Sequence, residues 1–508
     1  MSFECMQTRT TKKSLHSLSQ ARSQNLLKSA NSSSPSQALK QYRVAVKEGH
    51  SLEIPSPSIF NFDQTQNGAD AGSHRLPSPA ECATHLELLQ TFYVLRQRII
   101  ISEEIDKSFN IQPIRVVKTG RRGDKKTLKD DTLADRRQVK WTRYVEFAVI
   151  RFLAWKENLP LEKTGAETRP VLQRLPPLDV LMVWHAFTLN PRLFQRHCKD
   201  EPLYQVKIPW EAIHATIRNL EWDYTQEEIV ELQFEIDTGL PAHLFEQFKS
   251  WTGYSESASL QSTKYLTAFS LGFTPAPSEQ ALLEDGVFLE SKRSTFTPLQ
   301  EAAANKHFHV AREYARLFHK YAGPEAKASS LTSELRGAVI RQCDFVDKMS
   351  AKIWIRSPAL PGTLRRAIDR YGKFLALIRL HPGMIVVPTL DIDLAWHTHQ
   401  CSAAAYSDDV QELTGKFVDH NDKLGKPVLG TGMAETKRLY RIQFGEDYRH
   451  CGCWECEALL DHVEEAVKQA LITGEEDVDM GAIARTVAEE VALYREMEIA
   501  TRTRNREE

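Results

Sequence analysis

The phrase Pro-x-Leu-Asp-[Val/Ile]-x-x-x-Trp-His occurs twice in this chain, at residues 176–185 and 388–397. A proline ahead of Leu-Asp disfavours helix upstream, and the residues that follow suit helix, so each copy opens a helix with Asp179 or Asp391 placed to cap its first turn. Shared Asp, Trp and His at one spacing imply two related helical units. The sequence therefore predicts a mainly α, multi-helix assembly with two Asp-x4-Trp-His units and few short strands. Their structural residues are Asp179, Trp184 and His185 in one, and Asp391, Trp396 and His397 in the other.

Periodicity elsewhere agrees with that class. Leu86, Leu88, Leu89, Phe92, Leu95, Ile99 and Ile100 recur at three- and four-residue spacings from about 79 to 102, and Trp141, Tyr144, Val145, Phe147, Ala148 and Phe152 form a stripe within 131–159. Further helical patterns cover about 208–218, 225–236, 241–250, 307–322, 329–354, 361–380, 391–409, 433–445 and 454–503. The best strand candidates are 260–273 and 384–387. A Tyr-x-x-Phe pair precedes each phrase, Tyr144/Phe147 and Tyr371/Phe374, so the repeated unit is read as a helix pair.

The organisation expected is a disordered tail at 1–76, rich in Ser, Gln and Asn, then a helical half at 77–251 with the first Trp-His unit. A loop-rich connector follows at 252–296, then a second helical half at 297–450 with the other unit. A Cys cluster and charged helices occupy 451–508. Lys plus Arg (65) nearly balance Asp plus Glu (67), so no global field draws the protein to nucleic acid or an anionic membrane. The basic segment 118–127 has glycines but no Gly-Lys-[Ser/Thr], and no aromatics interleave its charges, which favours a solvated loop over a phosphate or nucleic-acid site. No run of about 18 apolar residues appears, so no membrane span is expected. The N-terminus has no secretory signal, which makes the cytoplasm the default, with the nucleus compatible and a mitochondrial transit reading of 5–47 an alternative.

Chemistry concentrates in the second phrase. Asp393, His399 and Cys401 stand where the first copy has Leu181, Phe187 and Leu189. Asp393 and His397 at i, i+4 can supply two metal ligands, or the carboxylate can orient His397 as a general base. His399 points roughly 200° away from His397 on an ideal helix and should not join it on one ion. Asp393, His397 and His399 are thus the catalytic candidates, against a plain reading in which Trp fills the core and each His bonds a carbonyl or carboxylate.

His450, Cys451, Cys453 and Cys456 offer an imidazole and three thiols in seven residues, with His462 nearby. Cys453-x-x-Cys456 has knuckle spacing, so zinc is the cofactor these donors suit. Thiol redox chemistry and ordinary reduced cysteines at a helix start are the alternatives. His420-x-Asp422 with a distant His450 has the donor types of a two-His-one-carboxylate triad, or simply organises a turn. From 459 to 498 an apolar stripe between dense charges suits docking to a protein partner through the C-terminal helices.

The run from Asp391 to Gln400, Tyr406, the Asp419-His420-Asn421-Asp422-Lys423 segment, 435–440 and Phe444-Gly445 together resemble the glycine-rich domain-containing protein family of plants and its fungal relatives. With His85 to Leu89 and Trp184-His185 the resemblance spans roughly 80–460. It implies a domain of unknown function, found in plant members implicated in development and stress responses. The chain departs from that pattern in having only 23 glycines and a charged helix where a glycine-rich tail would stand. The function expected is a non-enzymatic interaction or regulatory module, its rival a metal-dependent enzyme centred on Asp393 and His397. A third acid, His or Cys within ligand distance of those two around a solvent-reaching cavity favours the enzyme, and side chains spent on backbone caps exclude it.

Overall fold

The computed structural model describes residues 54–62, 76–109, 111–114, 116–119, 125–128, 130–162, 170–249, 298–323, 326, 328–474 and 478–507. The expected connector 252–296, with its strand candidate 260–273, lies outside them. The protein is mainly α. The helices used below are α1 (Pro79–Ile101), α2 (Leu133–Glu157), α3 (Leu178–Thr188), α4 (Pro191–Cys198), α5 (Pro298–Ala322), α6 (Leu360–Leu380), α7 (Leu390–Gln400), α8 (Ala403–Thr414), α9 (Lys426–Phe444), α10 (Trp454–Thr473) and α11 (Met480–Glu507). Strands among the described residues form three two-stranded sheets.

Two compact units arise, each discontinuous in sequence. One draws on residues 91–206 and 224–345, the other on residues up to 90, 207–223 and 346 onward. In the first, α2 buries thirteen side chains, among them Trp141, Phe147, Phe152 and Trp155, because its apolar stripe is wide enough to face two neighbours. Phe147 meets Tyr314 and Phe318 of α5 edge-on at 4.7 and 5.1 Å. Each such side chain, fully buried, contributes roughly 1.5–3 kcal/mol.

In the second unit, α6 packs along α7, α8 and α10. Arg366 of α6 reaches α10, where it pairs with Glu457 at 2.7 Å and Asp461 at 2.7 Å. A piece of the expected N-terminal tail is packed here: Ile54 is buried against Met497, and Phe60 stacks on His214 at 3.7 Å. The charged C-terminal run is two helices, α10 and α11, separated by the region of Gly474 at φ +78°. Much of their apolar stripe is spent on internal packing, since Leu459, Val463, Val467, Val487 and Val491 are buried, while Leu471 is exposed.

Several local expectations change. The pattern read as one helix over 391–409 is two helices, α7 and α8, broken at Cys401 and Ser402, where the Ser402 carbonyl starts the next helix by accepting from Tyr406 N–H. The 384–387 candidate is not a strand. Its backbone groups are claimed singly, Val387 N–H donating to Thr436 Oγ1 and the Val387 carbonyl accepting from Tyr448 Oη, so no ladder forms. Gly432 permits that approach, because a Cβ there would stand 2.8 Å from Val387 Cγ2. The basic segment read as a loop is flanked by an antiparallel pair, Val116–Thr119 with Lys125–Leu128. No helix among the described residues is long and apolar enough to cross a membrane.

Candidate metal centre

Both phrases are anchored by an arginine that no spacing rule had singled out. Asp179 and Asp391 sit in the first turns of α3 and α7 but make no side-chain cap; the cap positions are Pro177 and Thr389. The expected capping role is therefore replaced by an ion pair to the preceding long helix. Arg151 of α2 binds Asp179 through Nε at 2.6 Å and Nη2 at 3.3 Å, and its remaining donors go to the carbonyls of Pro241 and Ala242 and to Tyr314 Oη. All five guanidinium donors are thus engaged, which is what a fully buried arginine requires.

Arg370 of α6 makes the corresponding ion pair in the other unit, through fewer of its donors. Its Nε donates to Asp391 Oδ2 at 2.6 Å, and Nη2 to Thr389 Oγ1 and the Tyr448 carbonyl. Burial pushes the Asp391 carboxyl up, but Arg370 and Thr389 outweigh it and hold the group below its ordinary value.

Ring contacts follow the same register. Trp155 meets Trp184 at 5.6 Å and Phe374 meets Trp396 at 5.4 Å, with interplanar angles of 46° and 49°. Phe152, Phe187 and Phe194 form two edge-on contacts in one unit; Tyr371, His399 and Tyr406 form two in the other. The matching positions are thus Arg151-Phe152-x-x-Trp155 and Arg370-Tyr371-x-x-Phe374, two helical turns away from the Tyr144/Phe147 register expected from sequence. In the second set the rings carry polar atoms: Tyr371 Oη lies 3.0 Å from His399 Nδ1, and His399 Nε2 lies 3.1 Å from Asp409.

On a different side of α7, Asp393 and His397 meet His420. The Asp393 Oδ1 to His397 Nε2 distance is 3.3 Å, His397 Nε2 to His420 Nε2 is 3.2 Å, and His420 Nε2 to Asp393 Oδ1 is 3.8 Å. His420 arrives on the loop after α8, and that loop is fixed from below. Trp396 Nε1 donates to Tyr406 Oη, which donates in turn to the Val418 carbonyl, both at 2.9 Å, and Trp396 meets the His420 ring edge-on at 5.1 Å. The tryptophan of the phrase therefore also sets the position of the His420 imidazole.

Three donor atoms this close fit one small cation. Zinc bonds of about 2.0–2.1 Å in a tetrahedron place ligand atoms about 3.3 Å apart. Asp393 Oδ1 is buried and makes no hydrogen bond to either imidazole despite its proximity, which leaves it a buried acceptor beside two imidazole Nε2 atoms. Burial pushes the Asp393 carboxyl up to about 6, against the pull of His420 and Lys348, marking a carboxylate that a cation would stabilise. His397 is buried, while Asp393 and His420 keep 21% and 13% of their side-chain surface, enough for access from solvent.

The first phrase lacks this equipment. Leu181 and His185 occupy the positions of Asp393 and His397, both buried, and burial pushes the His185 imidazole down to about 3.

The other predicted residues distribute as follows. Cys451, Cys453 and Cys456 come together, with their Sγ atoms all within 4.8 Å of one another; His450 is not in that set. Burial and the nearby Arg370 hold His450 below its ordinary pKa beside the Arg370–Asp391 pair, while His462 pairs with Glu490 at 2.8 Å. His399 is engaged by Tyr371 and Asp409, away from His397. Asp422 is not in the triad of donors, whose carboxylate is Asp393 and whose second imidazole is His397. The pairing of His420 with α7 had no signal in periodicity, since the two histidines are 23 residues apart and joined through a loop.

Residues 289–409 match the model of the glycine-rich domain-containing protein-like family. The chain is 35% identical over 128 residues to glycine-rich domain-containing protein 1 of Arabidopsis thaliana, an alignment covering 23% of this chain and 15% of the relative. To glycine-rich domain-containing protein 2 of the same plant it is 32% identical over 149 residues, 28% of this chain and 18% of the relative. The chain thus spans less than a fifth of the length of these relatives. No solved structure matches. The matched region holds Asp393, His397 and His399, and ends before His420.

Proposed function

For a chain that carries the domain of the glycine-rich domain-containing protein-like family, we propose divalent-metal binding as the function, with Asp393, His397 and His420 as the ligands of one zinc-class ion. The observation that carries this reading is the three-way approach of one carboxylate oxygen and two imidazole Nε2 atoms at 3.2–3.8 Å on a rigid helix and a pinned loop. The two phrases are read as a duplicated helix pair. Its first copy, with Leu181 and His185, is structural, and its second is modified to hold metal. The equal ion pairs and ring contacts in the two units support that reading.

A second reading, metal-dependent catalysis, is favoured by the count of donors. Three protein ligands leave a position for water, as in catalytic zinc sites, whereas structural sites close with four. Metal bound through three residues serves either role, and exchange of the fourth ligand separates them.

Zinc titration by calorimetry tests the binding claim. In a Cys451→Ser/Cys453→Ser/Cys456→Ser background, which removes thiol donors, one equivalent should bind, and His420→Ala should abolish it. His420 lies on a loop, so its loss should leave the circular dichroism spectrum unchanged. Equal zinc affinity with and without His420 would overturn the proposal.

A further inference from the structure

The cysteine cluster of the second unit is a separate piece of chemistry, made of sulfur alone. Cys451 and Cys453 flank Gly452, whose φ of +63° turns the chain so that both thiols approach Cys456, one turn into α10. A side chain at 452 is disfavoured twice, by that φ and by the Trp354 ring 3.1 Å from where its Cβ would stand.

The turn is fastened on both sides. Trp354 Nε1 donates to the Gly452 carbonyl at 2.8 Å, and Lys352 Nζ to the Cys451 carbonyl at 2.9 Å. Trp454 Nε1 returns a bond to the Lys352 carbonyl at 2.9 Å. Three thiols held this way need no disulfide to keep them together. They are half-buried, so they stay reachable.

We propose that Cys451, Cys453 and Cys456 form a tri-thiolate site for one soft, closed-shell cation of the zinc and cadmium class, with a fourth position open to water or an exogenous thiol. Soft sulfur donors select this class over the harder ions that suit carboxylate and water. Binding releases the thiol protons to solvent and changes no oxidation state, so no co-reactant is needed. A third thiol has no use in a Cys453–Cys456 disulfide but completes a metal face. The site is independent of Asp393, His397 and His420, since its donors are of another kind and lie on another loop.

The test is anaerobic titration of the reduced full chain with cadmium, read by the ultraviolet thiolate-to-metal charge-transfer band, which only sulfur ligands produce. The band should saturate at one equivalent. It should disappear in Cys453→Ser and in Cys456→Ser, and persist in Cys343→Ser and in His420→Ala. Cadmium added to the zinc-loaded protein should displace zinc and produce the same band, because the softer cation binds thiolates more tightly. Failure of the band, or its survival in Cys453→Ser, overturns the tri-thiolate site, as does a Cys453–Cys456 disulfide as the sole product when zinc-treated protein meets air. None of these outcomes affects the Asp393 centre, whose ligands give no such band.

Discussion

Arg370 donates to Asp391 at 2.6 Å and so ties the start of helix α7 to the long helix α6 before it. Arg151 and Asp179 make the same bond, at the same distance, in the other unit. Each pair fixes where its Trp-His helix enters the core.

Removing one member leaves a buried charge uncompensated. Arg370→Met and Arg151→Met should each destabilise by about 3–5 kcal/mol. Lysine should not rescue either position, because a point charge cannot reproduce the forked contact to carboxylate and carbonyls. Arg370→Met/Asp391→Leu should recover part of the loss. Denaturant melts of these variants check this, and a loss below about 1 kcal/mol, the level of an exposed pair, contradicts an anchoring role.

The Tyr371–His399 pair converts an apolar stack into a polar one at the position where the other unit has Phe152 and Phe187. His399→Phe alone strands Tyr371 Oη and should cost about 1–3 kcal/mol. Adding Tyr371→Phe should restore part of that stability, since the stranded hydroxyl is then gone while Asp409 still lacks its imidazole partner. A double-mutant cycle reads the coupling, and strict additivity would show that the hydrogen bond contributes nothing.

His185 makes stability pH-dependent in a definite direction. Its folded pKa, about 3, lies below its ordinary 6.5, so the unfolded chain takes up the extra proton first. Stability is full above pH 6.5 and falls as pH drops toward 3. Between pH 7 and 5 the loss from this group is about 2 kcal/mol. His185→Leu should remove that share of the acid sensitivity, measured as the difference between the two melts; an unchanged pH slope would place the proton elsewhere.

The helical class and the two phrases were legible because they are local and periodic. The anchors were legible only in part. Arg151 and Arg370 stand at one offset before an aromatic pair, Phe152/Trp155 and Tyr371/Phe374, yet the Tyr-x-x-Phe match of Tyr144 with Tyr371 draws the eye two turns upstream. His420 was visible as a ligand type but not as a partner of Asp393 and His397, because a loop closed by Tyr406 and Val418 brings it back and no spacing rule encodes that bond. The discontinuous units are hidden for the same reason: residues 207–223 and 346 onward meet through burial, which composition along the chain does not record.

X-ray absorption at the zinc edge tests the central claim most directly, using zinc-loaded protein with Cys451, Cys453 and Cys456 replaced by Ser. The account predicts nitrogen and oxygen neighbours only, at about 2.0–2.1 Å, with imidazole multiple scattering that is lost with the zinc itself in His397→Ala and His420→Ala. Zinc absent from the protein, or a first shell unchanged when both histidines are removed, would contradict it.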